Sequence, residues 1–543
     1  MVTIVLNKYS LLGKLKITED QLDNLLFNLK SEVKPIDENN IEVEINADRL
    51  DLLSSDGIAR AIKGLLEREL GEAKYEVVNT DYKLIVNNVR TRPFALAAIV
   101  YNSKIDLQEL IQFQEKLHAT IGRKRKKVAI GIHDLKKIDS KIIEYKEIPL
   151  SYRFVPLNGS IELTISEVIE RTEQGKLYGH ISISNGVSPA ILQDNGQILS
   201  VPPIINSDKT KLDQSTRDFF IDVTGTSFEA VVQTLDLIVS NLAEAGGTIG
   251  KVKVETPMNS ESLYSPLLTH KTQTVKVDYI NKILGVNLSE EDSCKHIMRM
   301  RMDCKAESEH IRVIVPQYRI DILNEIDLVE DISMSIGYNN LEPSKYVPTN
   351  YGTYDYMTLV ERKIRELSIG GNFVEIFNFV LTKDTKLLEG NYVKILNPIS
   401  EEYNAVRNSL IPILLDFISK NQHARFPVRI FEIGDVVVQN DHSDTGFIND
   451  RRIAYAIMDS KVSYEDIQAP VHYILKSLGI EAYYKETKSE IFIEGRVASI
   501  MYNKEIIGII GEIHPSVLRK FDIEYPTVIA ELYLTKIAEK LKS

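Results

Sequence analysis

The pentapeptide Arg49-Leu-Asp-Leu-Leu53 returns far along the chain as Arg319-Ile-Asp-Ile-Leu323. Each copy follows a strand-like run and precedes a helix start. Three identical and two Leu/Ile positions carry little by themselves; the shared strand–turn–helix setting points to two related small modules. Around the first copy, Ile41–Asn46 alternates as a strand, Ser54 or Ser55 is placed to cap a helix, and Ile58, Ile62 and Leu65 give that helix an apolar face. Around the second, Ile311–Val315 is the strand of a compact helical unit spanning 268 to about 343. The chain is therefore read as an assembly of modules, and 543 residues give room for three to four domains, each with its own core.

Between the two copies, from about 92 to 265, many short β-branched strands alternate with Gly, Pro and Asn breaks, and one clear helix is expected at 107–121. After the second copy, a Pro-punctuated linker runs from Pro343 through Pro348 to Thr353. A helix over 354–369, with Met357, Val360, Ile364 and Leu367 on its apolar face, then leads into an expected strand at Phe373–Leu381 and further strands and helices. The boundaries that follow are 1–88, 89–265, 266–345 and 346–543.

Composition adds exclusions. An apolar fraction of 43% with 26% charged residues is ordinary for a folded protein. The net charge of −12 argues against binding a polyanion over the whole surface. It does not describe every segment: Lys116–Lys146 carries +7. No stretch approaches the roughly 18 apolar residues of a membrane span. Met1–Asn7 reads as a strand and not as a signal peptide. Cys294 and Cys304, ten apart in a helix-like context, suggest neither a disulfide scaffold nor a zinc site, so a reducing cytoplasm is expected.

Three constellations could carry chemistry. Asp327, Glu330 and Asp331 stand at i, i+3 and i+4, one face of a helix, with Asp321 in the turn before them. Four carboxylates without a nearby Lys would repel unless a hard cation such as Mg²⁺ sits among them; a helix's first turn also favours acids through its dipole alone. The first copy has Gly57, Arg60 and Ala61 at the corresponding places, so the turn itself does not need the acids. The basic run Arg123-Lys124-Arg125-Lys126-Lys127 could bind phosphates or could be a solvated helix end. Ser200, Asn206, Ser207, Asp222, Thr224 and Thr226 punctuate apolar strands, as a polar-lined pocket or as turn chemistry. Gly246-Gly-Thr-Ile-Gly-Lys251 fails as a phosphate loop, because Ala245 stands where its first glycine belongs and Val252 follows the lysine.

Taken in order, several segments resemble the β-subunit family of phenylalanyl-tRNA synthetases in its shorter archaeal/eukaryotic form. They are Asn46-Ala-Asp-Arg-Leu-Asp-Leu-Leu with Gly57-Ile-Ala-Arg60, Gln114-Glu-Lys-Leu-His118, Ile121 to Asp134, Pro-Pro-Ile-Ile-Asn206, the acidic turn and helix, Leu396-Asn-Pro-Ile-Ser-Glu-Glu-Tyr403 and Arg429-Ile-Phe-Glu-Ile-Gly434. The resemblance implies an α+β multidomain fold: two small helical modules of nucleic-acid-binding-fold type, a mixed α/β editing module, and a class II synthetase-like antiparallel core. It implies one Mg²⁺ per subunit on Asp321, Asp327, Glu330 and Asp331. It also implies an editing site near Ser200, Asp222 and Thr224 that hydrolyses Tyr-tRNA(Phe), and tRNA contact at Arg123–Lys127. The implied assembly is an (αβ)₂ heterotetramer in the cytoplasm, without a membrane, acting on tRNA(Phe), with ATP used at the α subunit. The last block lacks the expected cationic clamps, since Val438 and Asn440 hold the places of an Arg and an acid, so it is read as an inactive core. Two other readings stay open: a structural, tRNA-binding subunit with a degenerate editing pocket, and a metal-dependent phosphohydrolase built on the four acids.

Overall fold

A computed structural model describes residues 2–256 and 262–542. Met1 and Ser543, the end residues of the first and last assigned regions, lie outside the described residues, as do 257–261 within the second. The chain divides into two compact units, Met1–Tyr346 and Val347–Ser543.

The echo marks a repeated architecture. The first module runs β1 (Val2–Asn7), α1 (Lys8–Leu15), α2 (Glu19–Asn28), β2 (Glu32–Pro35), β3 (Asn40–Ile45) and α3 (Ser55–Leu65), with β3 in the middle of an antiparallel three-stranded sheet. Strand alternation sets its inner face: Ile41, Val43 and Ile45 are buried while the intervening glutamates are not. Ser54 is the cap of α3, its hydroxyl accepting from the Gly57 N–H at 3.1 Å. The second module repeats the order β-α-α-β-β-α: Lys271–Lys276, Val277–Leu284, Glu290–Arg299, Asp303–Glu307, His310–Val315 and Glu325–Ile336. Its third strand is again the central one.

Between the modules in sequence lies a ten-stranded mixed sheet. Its order is 205–206, 198–201, 187–193, β7 (Ile142–Pro149), β4 (Val77–Val86), 248–255, β5 (Phe94–Tyr101), 219–225 and β6 (Val128–Asp134), with 263–265 added beside 248–255. β4 runs parallel to both of its neighbours. The boundary expected at 88 is thus moved: β4 belongs to this sheet and not to the first module. The expected helix is present as α4 (Leu107–Ala119), capped by Asp106. Helix Phe228–Glu244 has apolar residues nearly all round, including Val231, Leu235, Ile238 and Leu242, and is correspondingly buried against the sheet.

The second unit is a seven-stranded sheet, antiparallel except for the short Val374–Glu375. Helices 356–370, 464–477 and 534–542 supply the core on one face and helices 411–420 and 515–520 that on the other. Strict alternation in Val428–Gln439 and Phe447–Met458 feeds both cores. The strand expected at Phe373–Leu381 is reduced to its ends, Val374–Glu375 and Leu381–Thr382. Between them Phe377 is 88% exposed, so apolarity there is not satisfied by burial within the chain.

Candidate functional site

Strand register builds the most enclosed chemistry. Phe219–Gly225 lies between β5 and β6, and Asp222 stands opposite Gly131 of β6. A Cβ on Gly131 would lie 2.2 Å from Asp222 Oδ2, so the carboxylate rests on the space that glycine leaves. Two residues along β6, on the same face, His133 meets the same oxygen: Nε2 is 2.9 Å from Asp222 Oδ2, and Nδ1 is 2.7 Å from Thr210 Oγ1. Asp222, His133 and Thr210 are all buried. No described residue donates to Oδ1 of Asp222. The carboxylate forms part of the wall of a cavity of about 600 Å³, whose lining includes Ser200, Asn206, Gly131, Thr210 and His118. The Ser200 hydroxyl is buried there without a hydrogen-bond partner among the described residues.

His118 also shapes this wall. His118 Nε2 accepts from the Ile130 N–H at 2.9 Å, so its proton is on Nδ1, 3.1 Å from Glu115 Oε1. Burial lowers its pKa, and Glu115 only partly opposes that shift. Thr224 departs from expectation. It is missing from the described lining, and its hydroxyl and carbonyl oxygens accept from Arg92 at 3.3 and 2.7 Å. Burial pulls the Arg92 guanidinium down to about 10, which leaves it charged at neutral pH. The sequence reading named Ser200 and Asp222, which line this cavity; it did not name Gly131, His133 or Thr210, which the fold places beside Asp222. The spacing of Gly131 and His133 by two along a strand was the available signal; their register against Asp222 was not available.

The basic run is split by its backbone. Arg123, Lys124 and Arg125 all have positive φ, at 49, 54 and 65°, a left-handed turn of three non-glycine residues. This turn leaves Arg123, Lys124 and Lys126 exposed, Lys127 half-buried, and Arg125 turned toward the cavity. The Arg125 guanidinium donates to the carbonyls of Pro203 and Ile204 at 3.2 and 3.1 Å and to Glu115 Oε1 at 2.7 Å, and lies 4.5 Å from the Tyr178 ring centre. Arg125 is therefore corrected from a phosphate contact to a tie across the cavity rim.

The four acids are dispersed among other partners. Arg319, two residues before Asp321 in the echo motif, binds it through two hydrogen bonds at 3.0 and 2.7 Å and lies 2.7 Å from Asp331 Oδ2. Asp327 Oδ2 accepts from the Leu323 and Asn324 N–H groups at 2.8 Å, the capping role open to any acid there. Glu330 accepts from the Tyr338 hydroxyl at 2.6 Å and lies 3.6 Å from Lys30 Nζ. Among the described residues no group of three or more His, Cys, Asp or Glu is gathered for a metal. The donors have the right chemistry for Mg²⁺, but as placed they are not one cage; the cation among them is Arg319. Burial pushes Asp331 up to about 6, with Arg319 and Arg49 pulling it back.

The cysteines also differ from expectation. Cys294, on helix Glu290–Arg299, and Cys304, on the strand after it, are joined in a disulfide. Cysteine usage therefore gives no support to a reducing compartment. In the second unit buried Arg407 lies 2.6 Å from Glu432 and half-buried Arg452 lies 2.7 Å from Glu531, so both are engaged. A Cβ on Gly434 would lie 2.1 Å from Arg407 Nη2, so this glycine admits the arginine.

Comparison with known proteins gives matches along the whole chain. The family described as "Phenylalanyl tRNA synthetase beta chain CLM domain" matches residues 345–534, and "tRNA synthetase B5 domain" matches 273–338. The phenylalanine–tRNA ligase β subunit of Saccharolobus solfataricus is 75% identical, covering 100% of this chain and 99% of its own. That of Sulfurisphaera tokodaii is 54% identical over 100% of both chains. An N-terminal fragment of the phenylalanyl-tRNA synthetase β subunit from Pyrococcus horikoshii, known as a crystal structure, is 32% identical with a TM-score of 0.60, covering 62% of this chain and all of the fragment.

Proposed function

The chain belongs to the phenylalanine–tRNA ligase β-subunit family, and is thus a subunit of an aminoacyl-tRNA ligase; from that premise we propose that its central sheet hydrolyses Tyr-tRNA(Phe) while a partner α subunit attaches phenylalanine with ATP. A pocket selecting phenylalanine rejects an analogue with one added hydroxyl only weakly, by about 100-fold. A separate site that hydrogen-bonds the phenol can remove the error. The observation carrying this reading is Asp222: a buried carboxylate on the wall of a cavity, with Oδ2 held and Oδ1 left to accept from a phenolic O–H.

The proposed assembly is an (αβ)₂ heterotetramer acting on tRNA(Phe) in the cytoplasm. Exposed Phe377, Phe379 and Leu396 favour a partner surface on the second unit. Arg407 and Arg452 are held by Glu432 and Glu531 and are not presented for phosphate charge, which favours synthesis in the α subunit. Among the described residues no helix is long and apolar enough to cross a membrane. Arg123, Lys124, Lys126 and Lys127 remain as proposed tRNA contacts. One Mg²⁺ on Asp321, Asp327, Glu330 and Asp331 would have a structural role, and taking it up requires Asp321 and Asp331 to turn away from Arg319.

The test is deacylation of Tyr-tRNA(Phe) by the chain assembled with its α subunit. Asp222→Ala should abolish the preference for tyrosine. Unchanged hydrolysis would refute the site, and absence of hydrolysis in the unaltered enzyme would leave a structural, tRNA-binding subunit.

A further inference from the structure

The pair Gly131 and His133 has no assigned part in the reaction, yet both act on one carboxylate oxygen. A carboxylate on a pocket wall can rotate, and rotation would exchange the oxygen offered to a ligand. Here Gly131 leaves the space that Oδ2 fills, and His133 Nε2 fixes that oxygen at 2.9 Å. For Asp222 to accept, Nε2 carries the proton; in the neutral ring Nδ1 then accepts from the Thr210 hydroxyl at 2.7 Å. The chain Thr210–His133–Asp222 thus runs from the cavity lining, through a fully buried ring, back to the cavity lining. The Phe220 ring, 6.2 Å away centre to centre, packs beside the imidazole.

We propose that His133, seated by Thr210 and Gly131, is a positioning residue that keeps Asp222 Oδ1 directed at the cavity and so sets discrimination between phenol-bearing and phenyl-bearing aminoacyl esters. The proposal rests on the editing reading above. His133 need not touch substrate: its effect passes through Asp222. A tyrosyl ester gains a hydrogen bond to a charged acceptor, and a phenylalanyl ester leaves that acceptor unpaired.

The experiment measures deacylation of Tyr-tRNA(Phe) and Phe-tRNA(Phe) by the αβ assembly carrying His133→Phe, His133→Gln or Thr210→Val. His133→Phe should lower the Tyr/Phe rate ratio by on the order of 10- to 100-fold. His133→Gln, which restores an N–H donor in that direction, should recover part of it. Thr210→Val, close in volume, should lower the ratio by a few-fold and serves if His133→Phe does not fold. Both rates falling together at a constant ratio would make His133 merely structural and overturn the proposal.

Binding of L-tyrosinamide against L-phenylalaninamide separates failure of this inference from failure of the editing reading. An enzyme that hydrolyses neither ester but prefers tyrosinamide, with the preference lost in His133→Phe, supports the positioning role alone. A preference unchanged by His133→Phe, or none in the unaltered enzyme, overturns it.

Discussion

The modules at 2–65 and 271–336 share strand order, helix order and the Arg-x-Asp turn, yet they balance charge in opposite ways. In the first, one buried carboxylate, Asp51, serves two cations: Arg49 at 2.8 Å and Arg60 at 3.1 Å. In the second, one buried cation, Arg319, serves two carboxylates, Asp321 and Asp331. The two clusters also act on each other, since Arg49 pulls on Asp331 and Arg319 on Asp51. At the two turns three arginines balance three aspartates, and Glu244, 3.6 Å from Arg60, adds an acid from outside the modules. The same turn can thus carry a surplus of either sign, provided that its counterpart carries the reverse.

The comparison breaks most visibly at the arginines. Arg319→Met leaves buried Asp331 and half-buried Asp321 without their cation and should cost about 3–5 kcal/mol. Arg49→Met leaves Asp51 with Arg60 and should cost about 1–3 kcal/mol. Urea unfolding with hydrogen exchange read separately in each module would check the order; equal costs would mean that the clusters act as one unit. Next is the disulfide, present only in the second module. Replacing Cys294 and Cys304 by Ser reopens a short loop and should cost about 3 kcal/mol, as should reduction of the unaltered chain. Protection lost equally in both modules would contradict a local effect.

Titration should distinguish the modules by sign. Burial raises the Asp331 carboxyl to about 6, above its unfolded value of about 4. The folded state then binds the proton more tightly, so this contribution falls as pH rises from about 4 through 6, by up to about 3 kcal/mol. Asp51 behaves oppositely: against burial, Arg49 and then Arg60 hold it well below the usual range, so its stabilisation is present above about pH 4 and is lost as pH falls further. Asp331→Asn should remove the first dependence and leave the second. The smallest expected effect is that of Mg²⁺, about 1.4 kcal/mol at ten times its Kd, confined to the second module and absent in Glu330→Gln. No shift with Mg²⁺ in thermal melting would leave Arg319 as the sole cation.

Local pattern carried much of this architecture. The echo, the Ser54 cap and α4 were legible because capping and periodicity act within a few residues. What failed depended on contacts between segments. Asp327, Glu330 and Asp331 do share a helix, but the cation serving Asp321 and Asp331 is Arg319 inside the motif itself and not a lysine. Cys304 lies on a strand that folds back along the helix carrying Cys294, a pairing that spacing alone does not give. Asp222 stood out as a polar residue in an apolar strand, whereas His133 depended on the register of a neighbour 89 residues away. Arg125 looked like its four basic neighbours until three consecutive left-handed residues turned it inward.

β4 has a consequence for any attempt to isolate the central sheet with its cavity. It is the only parallel bridge between β7 and the strand at 248–255 among the described residues, so a fragment cut at 89 would lose the middle of its sheet. The shortest autonomous cassette must begin before Val77. During synthesis the same strand emerges early and waits for a partner about 170 residues later, so the cavity closes only after nearly the whole sheet has left the ribosome.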